Sequence, residues 1–175
     1  MSVFRTALAL VDDGVSPALV TVIRSAGSTP RRVGAHMLVG ADGSTHGTIG
    51  GGRVEHAVSV VAQGVAGGAP AVRTHYHLAR DLGMCCGGEM ELYVEPVAQS
   101  HAALAELARA LDARHTVRLV TLLDGSPKRV VVGDVPAGLR ANGLCDGVFV
   151  ELVAPRERLF LFGRGHVARA VAPLL

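Results

Sequence analysis

Three consecutive glycines, Gly50, Gly51 and Gly52, separate a hairpin-like segment from a helix-like one in Thr45-His-Gly-Thr-Ile-Gly-Gly-Gly-Arg-Val-Glu-His56. Glycine loses more conformational freedom on folding than any other residue, so three in a row belong where backbone must take positive φ or approach another group closely. Before the triplet, His36–Val39 and Thr45–Ile49 flank Ala41-Asp-Gly-Ser44, and the Asp-Gly pair predicts a hairpin. After it, Val54, Ala57, Val58, Val61 and Val65 recur at helical spacing until Gly67-Gly68 ends the pattern. Strand, tight turn and helix in succession direct the chain to an α/β fold.

The remaining segments extend that reading. Ser2 is placed to cap a helix through Val3, Ala7, Leu10 and Val11 that ends near Asp13-Gly14. Ala18–Ile23 is a nearly continuous apolar, β-branched run, the pattern of a strand buried on both faces. Val72, Thr74 and Tyr76 alternate with Arg73, His75 and His77, and Met90, Leu92 and Val94 alternate with Glu89, Glu91, Tyr93 and Glu95, so both stretches predict half-buried strands. A helix is expected from about Ser100 to Ala113, a hairpin from Val117–Leu123 and Arg129–Val132, and a strand at Val148–Val153. The expected architecture is a mixed β-sheet with hairpins and at least three flanking helices, forming one domain over residues 1–154. Past a short linker, Arg158-Leu-Phe-Leu-Phe162 and Gly163-Arg-Gly-His-Val-Ala168 fit a strand and a GxGxxA dinucleotide-type turn. Residues 158–175 are thus expected to be the truncated start of a Rossmann-type domain, without the acidic residue that would bind the ribose.

Composition narrows the partners. A formal charge of +2, with no basic run longer than Arg31-Arg32, lacks the electrostatic footprint of a nucleic-acid binder. No apolar stretch approaches the roughly 18 to 20 residues of a membrane span, and Phe4–Val11 is interrupted by Arg5 and lacks the marks of a signal peptide. The three cysteines, two of them adjacent, form no disulfide framework. A cytoplasmic protein without nucleic-acid or membrane partners is expected.

Several residues carry chemistry. The first amides of a helix have no internal partners and sit at its positive end, so Gly50–Gly52 leading into Arg53 would make an anion site, with Arg31, Arg32 and Arg53 as phosphate-matching guanidiniums. A tight turn with solvated arginines is the plainer alternative. No GxxxxGK[ST] pattern occurs, which argues against an NTPase. Cys86, beside Cys85 and before Gly87-Gly88, offers a soft ligand that a bound molecule can reach closely, against the alternative of a small buried hydrophobe. His75 and His77 share one face of a strand, as two metal ligands or as a solvated surface. Glu89, Glu91 and Glu95 read as outward carboxylates. No catalytic residue is assigned.

Four motifs in order, Gly27-Ser-Thr-Pro-Arg31, Gly34-Ala-His-Met37, Gly47-Thr-Ile-Gly-Gly-Gly-Arg-Val-Glu55 and Leu82-Gly-Met-Cys-Cys-Gly-Gly88 running on to Glu95-Pro96, resemble the xanthine dehydrogenase accessory protein family, XdhC/CoxI. Gly163, Gly165 and Ala168 resemble the opening of that family's C-terminal Rossmann domain. The resemblance implies a non-enzymatic chaperone that binds the molybdenum cofactor, protects it while a cysteine desulfurase supplies sulfur, and delivers it to a molybdenum hydroxylase such as xanthine dehydrogenase. It implies that Gly50, Gly51, Gly52 and Arg53, with Arg31 or Arg32, receive the cofactor phosphate. Cys86, with Gly87 and Gly88, is then expected at the metal end. Many relatives carry a cysteine at the position of Arg53, so a mechanism using two thiols from these motifs is not expected. A homodimer is expected, and the apolar tail is expected to pack on a second copy, to fray, or to mark a cut chain. An NAD(P)-dependent oxidoreductase fragment and a structural module docking on a hydroxylase are the alternatives.

Overall fold

The computed structural model describes residues 2–132, 143–158 and 160–174. The elements run α1 (Val3–Asp12), β1 (Ala18–Ala26), β2 (His36–Val39), β3 (Thr45–Gly47), α2 (Gly52–Ala66), β4 (Val72–His77), α3 (Leu78–Leu82) and β5 (Glu89–Pro96). They continue with α4 (His101–Asp112), β6 (Val117–Leu122), β7 (Arg129–Val131), β8 (Gly143–Cys145), β9 (Val148–Val153) and α5 (His166–Val171). The α/β class holds. Among the described residues the strands divide between two sheets, ordered β3-β2-β1-β5-β4 and β7-β6-β9-β8, and every pairing is antiparallel, in place of the expected mixed sheet.

Local chemistry accounts for the ends of the first elements. Ser2 caps α1, its hydroxyl accepting the amide of Arg5 at 3.4 Å. Asp42 holds the β2–β3 turn by accepting the amide and the hydroxyl of Ser44 at 2.9 and 2.6 Å, and Gly43 takes the positive φ of 84° that the turn requires.

The five-stranded sheet is covered on both faces. Val20, Val22, Met37, Val39, Met90, Leu92 and Val94 meet Val54, Val58, Ala62 and Val65 of α2 on one side. Leu19 and Leu38 meet Ala7 of α1, Leu104 and Leu107 of α4, and Val117 and Leu119 of β6 on the other. The second sheet thus packs toward that other face, where Ile23, Tyr93 and Phe149 make a further cluster. The β1–β5 register shifts between Val22 and Arg24, a bulge at Ile23.

This arrangement corrects the reading of the β5 carboxylates. Glu91 and Glu95 do not face solvent, being 9% and 1% exposed. Glu95 lies 2.7 Å from Lys128 Nζ, which donates to Thr121 Oγ1 at 2.5 Å, while the Lys128 amide donates to Ser100 Oγ at 3.0 Å. Burial pushes the Glu95 carboxyl above the ordinary carboxylate range, against the opposing pull of Lys128. Glu91 is held at the edge by Arg73 and Arg24. Glu89 alone of the three is exposed, 3.3 Å from His75 Nε2.

The tail departs from the strand reading too. Among the described residues 160–162 no strand forms, and Phe160 and Phe162 are 71% and 89% exposed. Gly165 caps the short α5, and a Cβ added to Gly163 or Gly165 would meet nothing within 4 Å. No described helix is long and apolar enough to cross a membrane.

Candidate functional site

Three of the quoted motifs meet where β1 ends and β5 begins. Each leaves a regular element at that place: Gly27–Arg31 after β1, Gly47–Glu55 between β3 and α2, and Leu82–Gly88 between α3 and β5. Their glycines are the points of contact. A Cβ on Gly88 would lie 2.4 Å from the carbonyl oxygen of Ser28 and 2.5 Å from that of Ala26, so only a residue without a side chain lets β5 start against the first loop. The Gly88 amide donates to Ser28 at 3.0 Å and its carbonyl accepts from Leu78 at 2.9 Å. Gly50 likewise presses on Pro30, where a Cβ would come within 2.5 Å of the ring.

The triplet adopts φ of 125°, 77° and 70° at Gly50, Gly51 and Gly52, all in the region that L side chains avoid. This curl points successive amides inward, the concave donor arrangement that binds anions. The structure shows the anion that fills it: Glu55 Oε1 accepts from the amides of Ile49, Gly50 and Gly51 at 2.9, 3.2 and 2.8 Å, and from Thr48 Oγ1 at 2.6 Å. Burial opposes its charge, but the hydroxyl of Thr48 and the three amides outweigh that, and its pKa falls below the ordinary value. The motif alone did not mark Glu55 as this anion; the spacing of a carboxylate four residues after Gly51 was the available signal.

Beside the filled curl lies an open cleft of about 390 Å³ lined by Gly52, Arg53, His56, Ala57, Asp81 and Leu82. Arg53 extends across the α3–β5 loop, such that a Cβ on Gly83 would lie 2.9 Å from its Nη1. Met84 borders Gly52. His56, one turn after Arg53 on exposed α2, was not singled out from sequence, because a single histidine on a polar helix face carries no spacing signal. Asp81 is engaged locally, accepting from the His77 amide at 2.7 Å and Arg80 Nε at 2.8 Å, and these donors lower its pKa. The cleft therefore presents a guanidinium, an imidazole and the first turn of a 15-residue helix, a set suited to a phosphate or carboxylate ligand.

The other candidates take up different positions. Arg31 and Arg32 are exposed directly after Pro30. Cys86 is half-buried against the α2-side core while Cys85 is exposed. Burial pushes the Cys86 thiol up, with the neighbouring Cys85 adding to the shift, so the thiol form prevails at neutral pH. Among the described residues no three His, Cys, Asp or Glu side chains gather to hold a metal. His77 caps α3, its Nδ1 accepting the Arg80 amide at 3.3 Å, and His75 pairs with Glu89. Gly163, Gly165 and Ala168 lie on the tail, outside this cluster.

Comparison with known proteins bears on the same region. The profile of the XdhC and CoxI family matches residues 10–77, which include β1, the glycine curl and all of α2. The molybdenum cofactor insertion chaperone PaoD of Escherichia coli K12 is 29% identical over 176 aligned residues, covering 99% of this chain and 54% of PaoD. The uncharacterized protein YqeB of the same organism is 38% identical over 99 residues, covering 54% of this chain and 18% of YqeB. The chain thus spans about half of PaoD and less than a fifth of YqeB. A crystal structure described as a xanthine dehydrogenase from Bacillus halodurans has the same fold, with a TM-score of 0.69 and 21% identity, covering 90% of this chain and 54% of that one. The segment that builds the glycine curl and its helix thus lies within the residues, 10–77, that are similar to the XdhC and CoxI family.

Proposed function

We propose that the chain is an accessory protein, not an enzyme, which binds the molybdenum cofactor as cargo, shields it during sulfuration and delivers it to a xanthine dehydrogenase or related molybdenum hydroxylase. The observation that carries this reading is an open cleft at the start of α2 lined from two motif loops, with the third, Gly27–Arg31, packed on both through Gly50 and Gly88. Its likeness to a molybdenum cofactor insertion chaperone supports this choice of cargo.

The residues suit a pterin phosphate. Because Glu55 already occupies the amides of Ile49–Gly51, the phosphate is received by Arg53, His56 and the first turn of α2, with Arg31 or Arg32 closing from the neighbouring loop. Cys86 stands nearest the metal end, approached over the exposed Gly87, since Gly88 is closed off by the Ser28 and Ala26 carbonyls. The raised thiol pKa means that metal binding there releases a proton, so this contact strengthens with pH. A cysteine desulfurase and the client hydroxylase are the partners, and residues from 158 onward belong to a following Rossmann-type domain.

Anaerobic titration with freshly released molybdenum cofactor, followed by gel filtration and quantification of bound molybdenum and pterin, tests the proposal. Near-stoichiometric retention is expected, with Arg53→Ala and Cys86→Ala each weakening it about tenfold, the worth of one charge-assisted contact. Retention of neither metal nor pterin by folded protein would refute the cargo role.

A further inference from the structure

A second cavity, of about 570 Å³, opens on the opposite side of the five-stranded sheet from α2, between the start of α1, the end of α4 and the chain leaving β9. It shares no lining residue with the cleft at Arg53. Arg5, Arg114, Arg156 and Arg158 line it against a single acid, Asp112, which is already paired with Arg5. Guanidiniums from three separate parts of the chain repel one another, so their convergence calls for an anion. At the floor His36 is 11% exposed, its Nε2 lying 2.8 Å from the buried Glu151 Oε1, and its ring meets Phe4 edge-on at 4.7 Å. Phe4, Leu111, Val153 and Pro155 provide apolar lining.

The backbone at Arg114 points the same way. Arg114 follows α4 with φ of 65°, its amide bonded to Leu111 at 3.1 Å and the next amide to Ala110 at 2.9 Å. Glycine makes this helix-ending turn without strain and is the usual residue there. Here an arginine takes the strained conformation, and its Nη1 donates to the Arg156 carbonyl at 2.5 Å, joining two walls of the cavity. A stop signal for α4 needs no guanidinium; a ligand site does.

We infer that this cavity binds a phosphate-bearing small molecule with a flat apolar body, the chemistry of a nucleoside monophosphate. The arginine forks match phosphate oxygens, the capped start of α1 adds its positive end, and the apolar lining covers a ring system. The volume falls within the roughly 300 to 1,000 Å³ of small-molecule sites. This inference is independent of the cargo reading, which concerns the other face of the sheet.

Calorimetric titration of the whole chain with AMP, CMP and inorganic phosphate tests it. A nucleotide is expected to bind at least tenfold more tightly than inorganic phosphate. Arg114→Gly should weaken that binding at least tenfold while leaving the melting temperature unchanged or higher, a combination that a purely structural arginine would not produce. Arg158→Ala, which alters an exposed side chain, should also weaken binding, and Arg53→Ala should leave it intact. Absence of nucleotide binding at millimolar concentration, no preference over inorganic phosphate, indifference to both cavity variants, or loss on Arg53→Ala would each overturn the assignment.

Discussion

At the scale of single residues, Glu55 has the largest local effect because one carboxylate oxygen satisfies three curled amides and a hydroxyl. Glu55→Gln removes the charge and is expected to cost about 1 to 3 kcal/mol, the range for losing charge-assisted hydrogen bonds. The sign with pH follows from the depressed pKa: the stabilisation is complete above the unfolded value of 4.5 and is lost as pH falls from there through the folded value. Urea denaturation should therefore show the parent and the variant furthest apart at neutral pH and converging as pH falls from 4.5 through the folded value. Gly88→Ala tests the close approach of the loops. The added methyl meets two backbone carbonyls that cannot swing aside, so a loss of about 2 kcal/mol or more is expected in thermal unfolding. Glycines were readable in sequence as places of constraint, but which neighbour imposes the constraint was not. Nothing within Gly87-Gly88 itself names Ser28 as the group it must approach.

At the scale of elements, periodicity was informative wherever burial depended on one partner. The Ser2 cap, the Asp42-Gly43 turn and the apolar stripe of α2 all lie where the pattern put them. β5 escaped the same reasoning. Its alternating Glu and apolar residues have the signature of a strand with one wet face, yet β6 and β9 cover that face and Lys128 neutralises Glu95 there. Such a pairing between distant segments leaves no periodic trace. The short α3 and β8 were missed because five and three residues are too few to establish a period. The buried pair predicts non-additive energetics. Lys128→Met should cost about 3 to 5 kcal/mol by stranding a buried carboxylate, whereas Lys128→Met combined with Glu95→Leu should recover much of that loss. Chemical denaturation of the two single variants and the double variant supplies the cycle.

At the scale of the whole molecule, the two sheets enclose cores on both faces of β1, whereas the tail adds little to them. Phe160→Ser and Phe162→Ser are expected to shift stability by no more than about 0.5 kcal/mol, as substitutions at exposed positions do, and differential scanning calorimetry can check this. The α/β class was foreshadowed in the sequence; the meeting of motif loops at one end of the sheet and the division into two antiparallel sheets were not, since neighbours along the chain need not be neighbours in space. The self-filled glycine curl also bears on how the protein works over time. A loop that needs its guest in order to stay folded must be rebuilt each time the guest departs. Here the internal carboxylate serves as a permanent lodger, so departure of a ligand from the adjoining cleft leaves the loop's amides satisfied and the entrance of α2 in shape. On the proposed carrier role, the emptied protein would then be ready for a further encounter without refolding this loop.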